Sequence, residues 1–347
     1  MQAGILRPLF PPRKWYPPIP GLIGLREKVA SNGNSLAFLV GWDREKIIMK
    51  PIFPAIAAFG LVAHAIFAAP VKVVSFSPVL TEIAEAVGGA NVDVVGIVKP
   101  GTDPHDYSPT PGDFREVADA QLVLVSGNGM ERYLDKLRAD TAGSTRLLEM
   151  GTLLPTLEME EDHHHEDGHH HEHSSAADPH WWHSVPNVVQ AVEIVRDALV
   201  AIDPSQKSTF DANAAVKIRQ LEALQKWIKQ RVAEIPRDRR QLVTSHEAFQ
   251  YFAKEYGFQV EAVEGINREQ QASAKEVSEL IETIRAKHVK AIFIEDTLNP
   301  KVTSEITRET GVKIGGSLVA DGLGKGDTSS YEGMMRHNVD TIVESLK

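Results

Sequence analysis

The chain has 347 residues, of which 42% are hydrophobic, a formal charge of -10 and no cysteine. That length and apolar content allow two domains of ordinary size, each with its own core. The acidic balance and the lack of any long basic stretch exclude a phosphate-driven nucleic-acid partner. The missing thiols exclude disulfides, thiolate metal sites and cysteine nucleophiles, so any metal must be held by nitrogen and oxygen.

Residues 1–48 crowd Pro11, Pro12, Pro17, Pro18 and Pro20 together without sustained periodicity, and no packed fold is expected there. Met49-Lys50 then opens an apolar run over 52–63 that exits through small residues. A positive start, a short apolar core and a small-residue exit describe a secretory signal peptide. The run falls short of the ~20 apolar residues that a membrane span needs, and Pro54 and His64 interrupt it. The expectation is a true start at Met49 and cleavage near Ala63-His64-Ala65 or a few residues later. The secreted chain would then begin between Ile66 and Val71, with 1–69 outside the folded part.

From Val71 onward, β-branched runs at 71–76, 92–98, 121–125 and 146–150 alternate with amphipathic segments, and the alternation resumes at 241–244, 258–263, 291–295 and 312–315. This pattern predicts an α/β protein of two lobes, 70–203 and 237–347, each a mostly parallel four-stranded sheet with flanking helices. Asp203 and Pro204 read as the N-cap and first residue of one long rigid helix over 204–236, with no further proline until Pro236. Ile218, Leu221, Leu224, Ile228, Val232 and Ile235 line one face of it. A helix of roughly 30 residues would span about 45 Å, enough to bridge both lobes.

Seven of the fourteen histidines, His163, His164, His165, His169, His170, His171 and His173, lie in one tract with no apolar residue among them. Such a segment cannot bury enough surface to order itself, so 160–175 reads as a loop that gathers divalent metal at low affinity without fixed geometry. Other histidines sit in more definite settings. His105 lies between prolines beyond the second strand, His180 stands in Asp178-Pro179-His180-Trp181-Trp182-His183 ahead of a helix, and His246 follows the strand 241–244 and starts the next helix. Asp321 follows the last strand and is trailed by Gly322 and Gly324, which would let the backbone come close to a ligand. Open α/β sheets bind ligands at the carboxyl ends of their strands, so these residues are placed where two facing lobes share one ion. Taken singly, a histidine near a strand end is more often a cap, and Asp321 a turn residue. His183 competes with His180 three residues away, and spacing does not choose between them. His64, His288 and His337 are read as non-ligands.

In these segments the chain resembles the zinc and manganese substrate-binding proteins of ABC transporters, the ZnuA-like and TroA-like group. The resemblance rests on His105-Asp106-Tyr107-Ser108-Pro109-Thr110-Pro111, Asn128-Gly129-Met130-Glu131, Asp178-Pro179-His180, the segment from His246 to Phe252, Phe293-Ile294-Glu295 with Lys301, and Asp321-Gly322. It implies two α/β lobes joined by a long helix, and His105, His180, His246 and Asp321 as the ligands of a transported Zn2+. Glu295 would then support the ligands from behind, and His183 stands as a supporting residue or a transient ligand. Many members carry His-x-Trp-Leu-Asp-Pro where this chain reads His180-Trp181-Trp182-His183-Ser184-Val185-Pro186, which is closer to the AztC-like branch, where a periplasmic metallochaperone supplies zinc. In the manganese-binding relatives a carboxylate typically takes the place of His246. The implied protein is a monomer in the periplasm that serves an ABC permease and its ATPase. The alternatives are a manganese carrier and a zinc buffer working through the His tract. A zinc hydrolase would need an open position for water, and no His-Glu-x-x-His helix is present, so no enzyme is expected.

Overall fold

Two parallel four-stranded sheets with flanking helices organise the chain. The computed structural model describes residues 69–141, 145–159, 176–262, 274–295 and 300–347. The expected signal peptide, the start at Met49 and the His tract lie outside these residues. The first lobe runs β1 (Val71–Ser75), α1 (Pro78–Gly88), β2 (Val92–Gly96), α2 (Pro111–Ala118), β3 (Leu122–Val125), α3 (Leu134–Asp140), β4 (Arg146–Glu149) and α4 (Met150–Leu153). A small antiparallel pair, β5 (Glu158–Met159) and β6 (Ala176–Ala177), precedes α5 (Val185–Ile202) and α6 (Lys207–Val232). The second lobe comprises β7 (Gln241–Thr244), α7 (Gln250–Tyr256), β8 (Gln259–Ala262), α8 (Ala274–Ala286), β9 (Ala291–Glu295), α9 (Pro300–Thr310), β10 (Lys313–Leu318) and α10 (Tyr331–Leu346).

The sheets are ordered β2-β1-β3-β4 and β10-β9-β7-β8. Counted within its own lobe, each sheet therefore has the order 2-1-3-4, and the winding reverses between the first and third strands of each. Central β3 is buried along its whole Leu-Val-Leu-Val length, as expected of a parallel strand covered on both faces. Helix starts follow local chemistry. Pro78 opens α1 after extended Ser77, and Thr110 and Asp113 form a reciprocal capping box behind Pro111.

Strands fall where the sequence places them to within two residues, except the last. The last strand, expected over 312–315, runs on to Leu318 through a register shift between Ile314 and Gly316. Glycine is required there because a Cβ at Gly315 would lie 2.7 Å from the Phe293 ring, and Gly316 has φ +141°. The long helix also differs from expectation. Asp203 accepts a hydrogen bond from the Ser205 amide and caps a separate 3-10 turn over Pro204–Gln206, so α6 begins only at Lys207. Its 26 residues span about 39 Å.

That length still reaches both lobes. In its first half, Asn213 donates to the Val87 carbonyl and Lys217 pairs with Glu82 of α1. In its second half, Gln225 bonds Glu255 of α7 and Arg231 pairs with Asp340 and Glu344 of α10. Instead of one core per lobe, a single apolar core runs from Leu80 and Leu122 through Leu221 and Leu224 to Phe293 and Met334, with smaller clusters on the outer face of each sheet. Among the described residues, no helix is long and apolar enough to cross a membrane.

Candidate metal centre

Four loops at strand ends bring His105, His180, His246 and Asp321 together. His105 sits between β2 and α2, with its amide held by Asp103 Oδ1 at 2.8 Å. This loop is tied across the lobes, since the Gly101 amide donates to the Leu323 carbonyl. His180 is the residue before the 3-10 turn Trp181–His183. His246 follows β7 but does not start α7. Its carbonyl is engaged by Thr244 Oγ1 and the Ala248 amide, which delays the helix to Gln250. Asp321 is the middle of a three-residue turn closed by the Gly322 amide on the Ala320 carbonyl, 3.2 Å apart, with Gly322 at φ +89°.

One ligand-capable atom from each residue lies within 4.8 Å of every other. His105 Nε2 is 3.2 Å from His180 Nε2. Asp321 Oδ1 stands 3.5 Å from His105 Nε2, 3.4 Å from His180 Nε2 and 3.2 Å from His246 Nε2. A tetrahedral ion with bonds of about 2.05 Å requires donors about 3.3 Å apart, so the measured separations suit a closed set of three nitrogens and one oxygen. Side-chain exposure rises across the cluster from 0% at His180 and 5% at His246 to 8% at His105 and 9% at Asp321.

Carboxylates behind the imidazoles set which nitrogen faces the cluster. Asp178 Oδ1 accepts from the His180 amide at 2.8 Å and meets Nδ1 at 2.9 Å. Glu295 Oε2 bonds His246 Nδ1, while its Oε1 accepts from the Ser245 amide. Each pairing holds a ring hydrogen on Nδ1, so Nε2 is the nitrogen that faces the cluster and can give up its proton to a metal. Burial alone would depress the His180 and His246 pKa values, but Asp178 and Asp321 for the first, and Asp321 and Glu295 for the second, outweigh it. His180 is raised and His246 is raised well above the ordinary imidazole value. Burial likewise opposes the charge on Asp321, yet His246 and the three imidazole hydrogen bonds hold its carboxyl well below the usual range.

The Asp178 carbonyl is gripped by Asn128 Nδ2 and by the Tyr251 hydroxyl of α7, both at 3.2 Å. Asn128 in turn sits at φ +53° between Gly127 and Gly129, in a loop whose Ser126 and Gly127 amides donate to buried Glu131. Of these supporting residues only Glu295 was singled out from the sequence. The Asp-x-His spacing was the signal for Asp178. His183 is not in the cluster: its Nε2 meets the Ala320 carbonyl at 2.9 Å. Burial, followed by the neighbouring His180, pushes its pKa down to about 3. His337 bonds the Ser317 carbonyl and His288 adopts φ +52°, and neither belongs to the cluster.

Residues 73–345 match the family described as ZnuA, zinc-uptake complex component A, periplasmic. The chain is 32% identical over 277 residues to the manganese-binding lipoprotein MntA of Halalkalibacterium halodurans, which covers 79% of this chain and 88% of that protein. To the zinc-binding protein TroA of Treponema pallidum it is 30% identical over 332 residues, covering 93% of this chain and 99% of that one. The solved structure of periplasmic TroA superposes with a TM-score of 0.71 at 28% identity, over 80% of this chain and 99% of that chain. The chain thus belongs to the ZnuA family of periplasmic components of metal-uptake complexes, and is a substrate-binding protein of a metal ABC transporter rather than an enzyme.

Proposed function

We propose that the chain captures Zn2+ in the periplasm with His105, His180, His246 and Asp321 as its ligands, and releases it to the permease of an ABC importer driven by its ATPase. The observation that carries this reading is the convergence of three Nε2 atoms on Asp321 Oδ1 at separations of 3.2 to 3.5 Å. Three imidazoles and one carboxylate favour zinc, since manganese prefers oxygen donors and higher coordination. The 32% identity to a manganese-binding lipoprotein keeps manganese as the second reading. On the first reading, export depends on the signal peptide after Met49, the protein acts as a monomer, and the His tract collects ions or receives them from a metallochaperone.

Competitive zinc and manganese titration separates the two readings, done on a chain lacking 160–173 so that the tract does not mask the core site. One zinc should bind tightly and manganese at least about a hundredfold more weakly. His246→Glu should narrow that ratio, and Asp321→Ala should weaken both ions. Equal affinity for the two ions, or an unchanged ratio in His246→Glu, would rule out zinc selectivity set by His246.

A further inference from the structure

Ala320 stands one residue before Asp321, and its carbonyl oxygen is approached by three N–H groups. The Gly322 amide closes the turn at 3.2 Å, the Trp182 indole Nε1 lies at 3.0 Å and His183 Nε2 at 2.9 Å. A carbonyl only accepts, so Nε2 of His183 carries the ring hydrogen. Both side-chain donors come from the 3-10 turn that follows His180, whereas Ala320 and Asp321 follow β10 of the other lobe. One turn thereby carries a candidate ligand and grips the peptide that carries another.

The gripping turn is itself fixed. Tyr331 donates its hydroxyl hydrogen to the Trp182 carbonyl at 2.7 Å, and the His183 ring packs on Phe249 with centroids 4.5 Å apart. His183 is fully buried, and its Nδ1 has no hydrogen-bond partner. An aliphatic side chain of similar size would avoid burying that bare nitrogen. What the imidazole adds over such a side chain is its Nε2 donor.

We propose that His183, with Trp182, is a positioning residue of the metal site: their paired grip on the Ala320 carbonyl locks the turn so that Asp321 Oδ1 stays at the point shared by the three imidazoles. This rests on the reading of His105, His180, His246 and Asp321 as the ligand set. Without the second side-chain donor the carbonyl keeps only the Trp182 indole and the Gly322 amide, the turn is held less firmly, and the carboxylate leaves its place more often.

The test uses the full chain with one equivalent of cobalt(II), whose visible absorption reports coordination geometry, and with zinc, whose release is followed by transfer to a coloured chelator. The part of the cobalt spectrum lost in Asp321→Ala defines the core site. His183→Leu should keep the parent circular dichroism, release zinc about tenfold faster, as loss of one hydrogen bond implies, and alter the core-site cobalt band. His183→Gln, whose side-chain amide can reach the same carbonyl, should bring both readouts back to within about twofold of the parent. Trp182→Phe should move both in the same direction as His183→Leu and replaces it if that variant does not fold. Parent-like release and a parent-like cobalt band in the folded variant overturn the proposal. So does a His183→Gln variant as impaired as His183→Leu, because the donor would then be irrelevant. A cobalt band untouched by Asp321→Ala refutes the ligand set itself, and the positioning role with it.

Discussion

Asp178 and Glu295 each decide which face of an imidazole the cluster sees. Removing such a carboxylate typically costs about 10- to 100-fold in metal affinity. Asp178→Ala is therefore expected to weaken zinc within that range in a chelator competition, while leaving one site per chain. Protons compete for the same lone pairs. In the metal-free chain His180 and His246 are raised, so the stability they contribute is fully present below their unfolded value of about 6.5 and is lost as pH rises through their folded values. Asp321 is lowered, so its contribution is present above about 3.9 and is lost as pH falls through its folded value. The metal-free chain should accordingly have a higher denaturation midpoint at pH ~6 than at pH ~8, whereas zinc affinity should already be falling as pH drops toward ~6.5. An affinity that is flat from pH ~7.5 to ~5.5 would contradict a site of three imidazoles. Position after a strand or in a proline-fixed loop made His105, His246 and Asp321 candidates, along with His180 or His183, but only the family resemblance singled out the four. The choice between His180 and His183 was not legible from spacing. His180 stands outside the 3-10 turn with ψ +40°, so the two rings diverge instead of facing the same way.

Helix α6 shows what periodicity can and cannot convey. Of the stripe read at Ile218, Leu221, Leu224, Ile228, Val232 and Ile235, the middle four are buried in α6, while Ile218 is half-buried and Ile235 lies beyond the helix end at Val232. The start was not readable, because Asp203-Pro204 is as good an opening for a 3-10 turn as for an α-helix. The short range expected for β10 has a similar origin: the need for glycine at 315 is a contact with Phe293 that appears only when β9 is alongside. Leu224 is 1% exposed in the shared core and bonds no cluster residue. Leu224→Ala should cost about 2–5 kcal/mol of stability in denaturant unfolding, with the zinc stoichiometry unchanged.

Across the whole molecule, α6 fastens α1 to α7 and α10, Glu82 accepts from both Lys217 and the Tyr331 amide, and one core crosses both lobes. The lobes should consequently melt together. Calorimetry of the metal-free chain is expected to show a single transition, and zinc at about a thousand times its dissociation constant should add about 4 kcal/mol to that same transition. Two separate peaks would show that the lobes are independent. The gradient of exposure over the four cluster side chains has a kinetic meaning. Among the described residues, His180 and His246 are the least exposed of the four, and the cluster meets water most at the edge between His105 and Asp321. On the proposed ligand set, an ion would leave through that edge, its bonds to those two residues breaking first. An acceptor group from a transporter or a chelator would then replace them one at a time while the two sealed nitrogens still hold the ion.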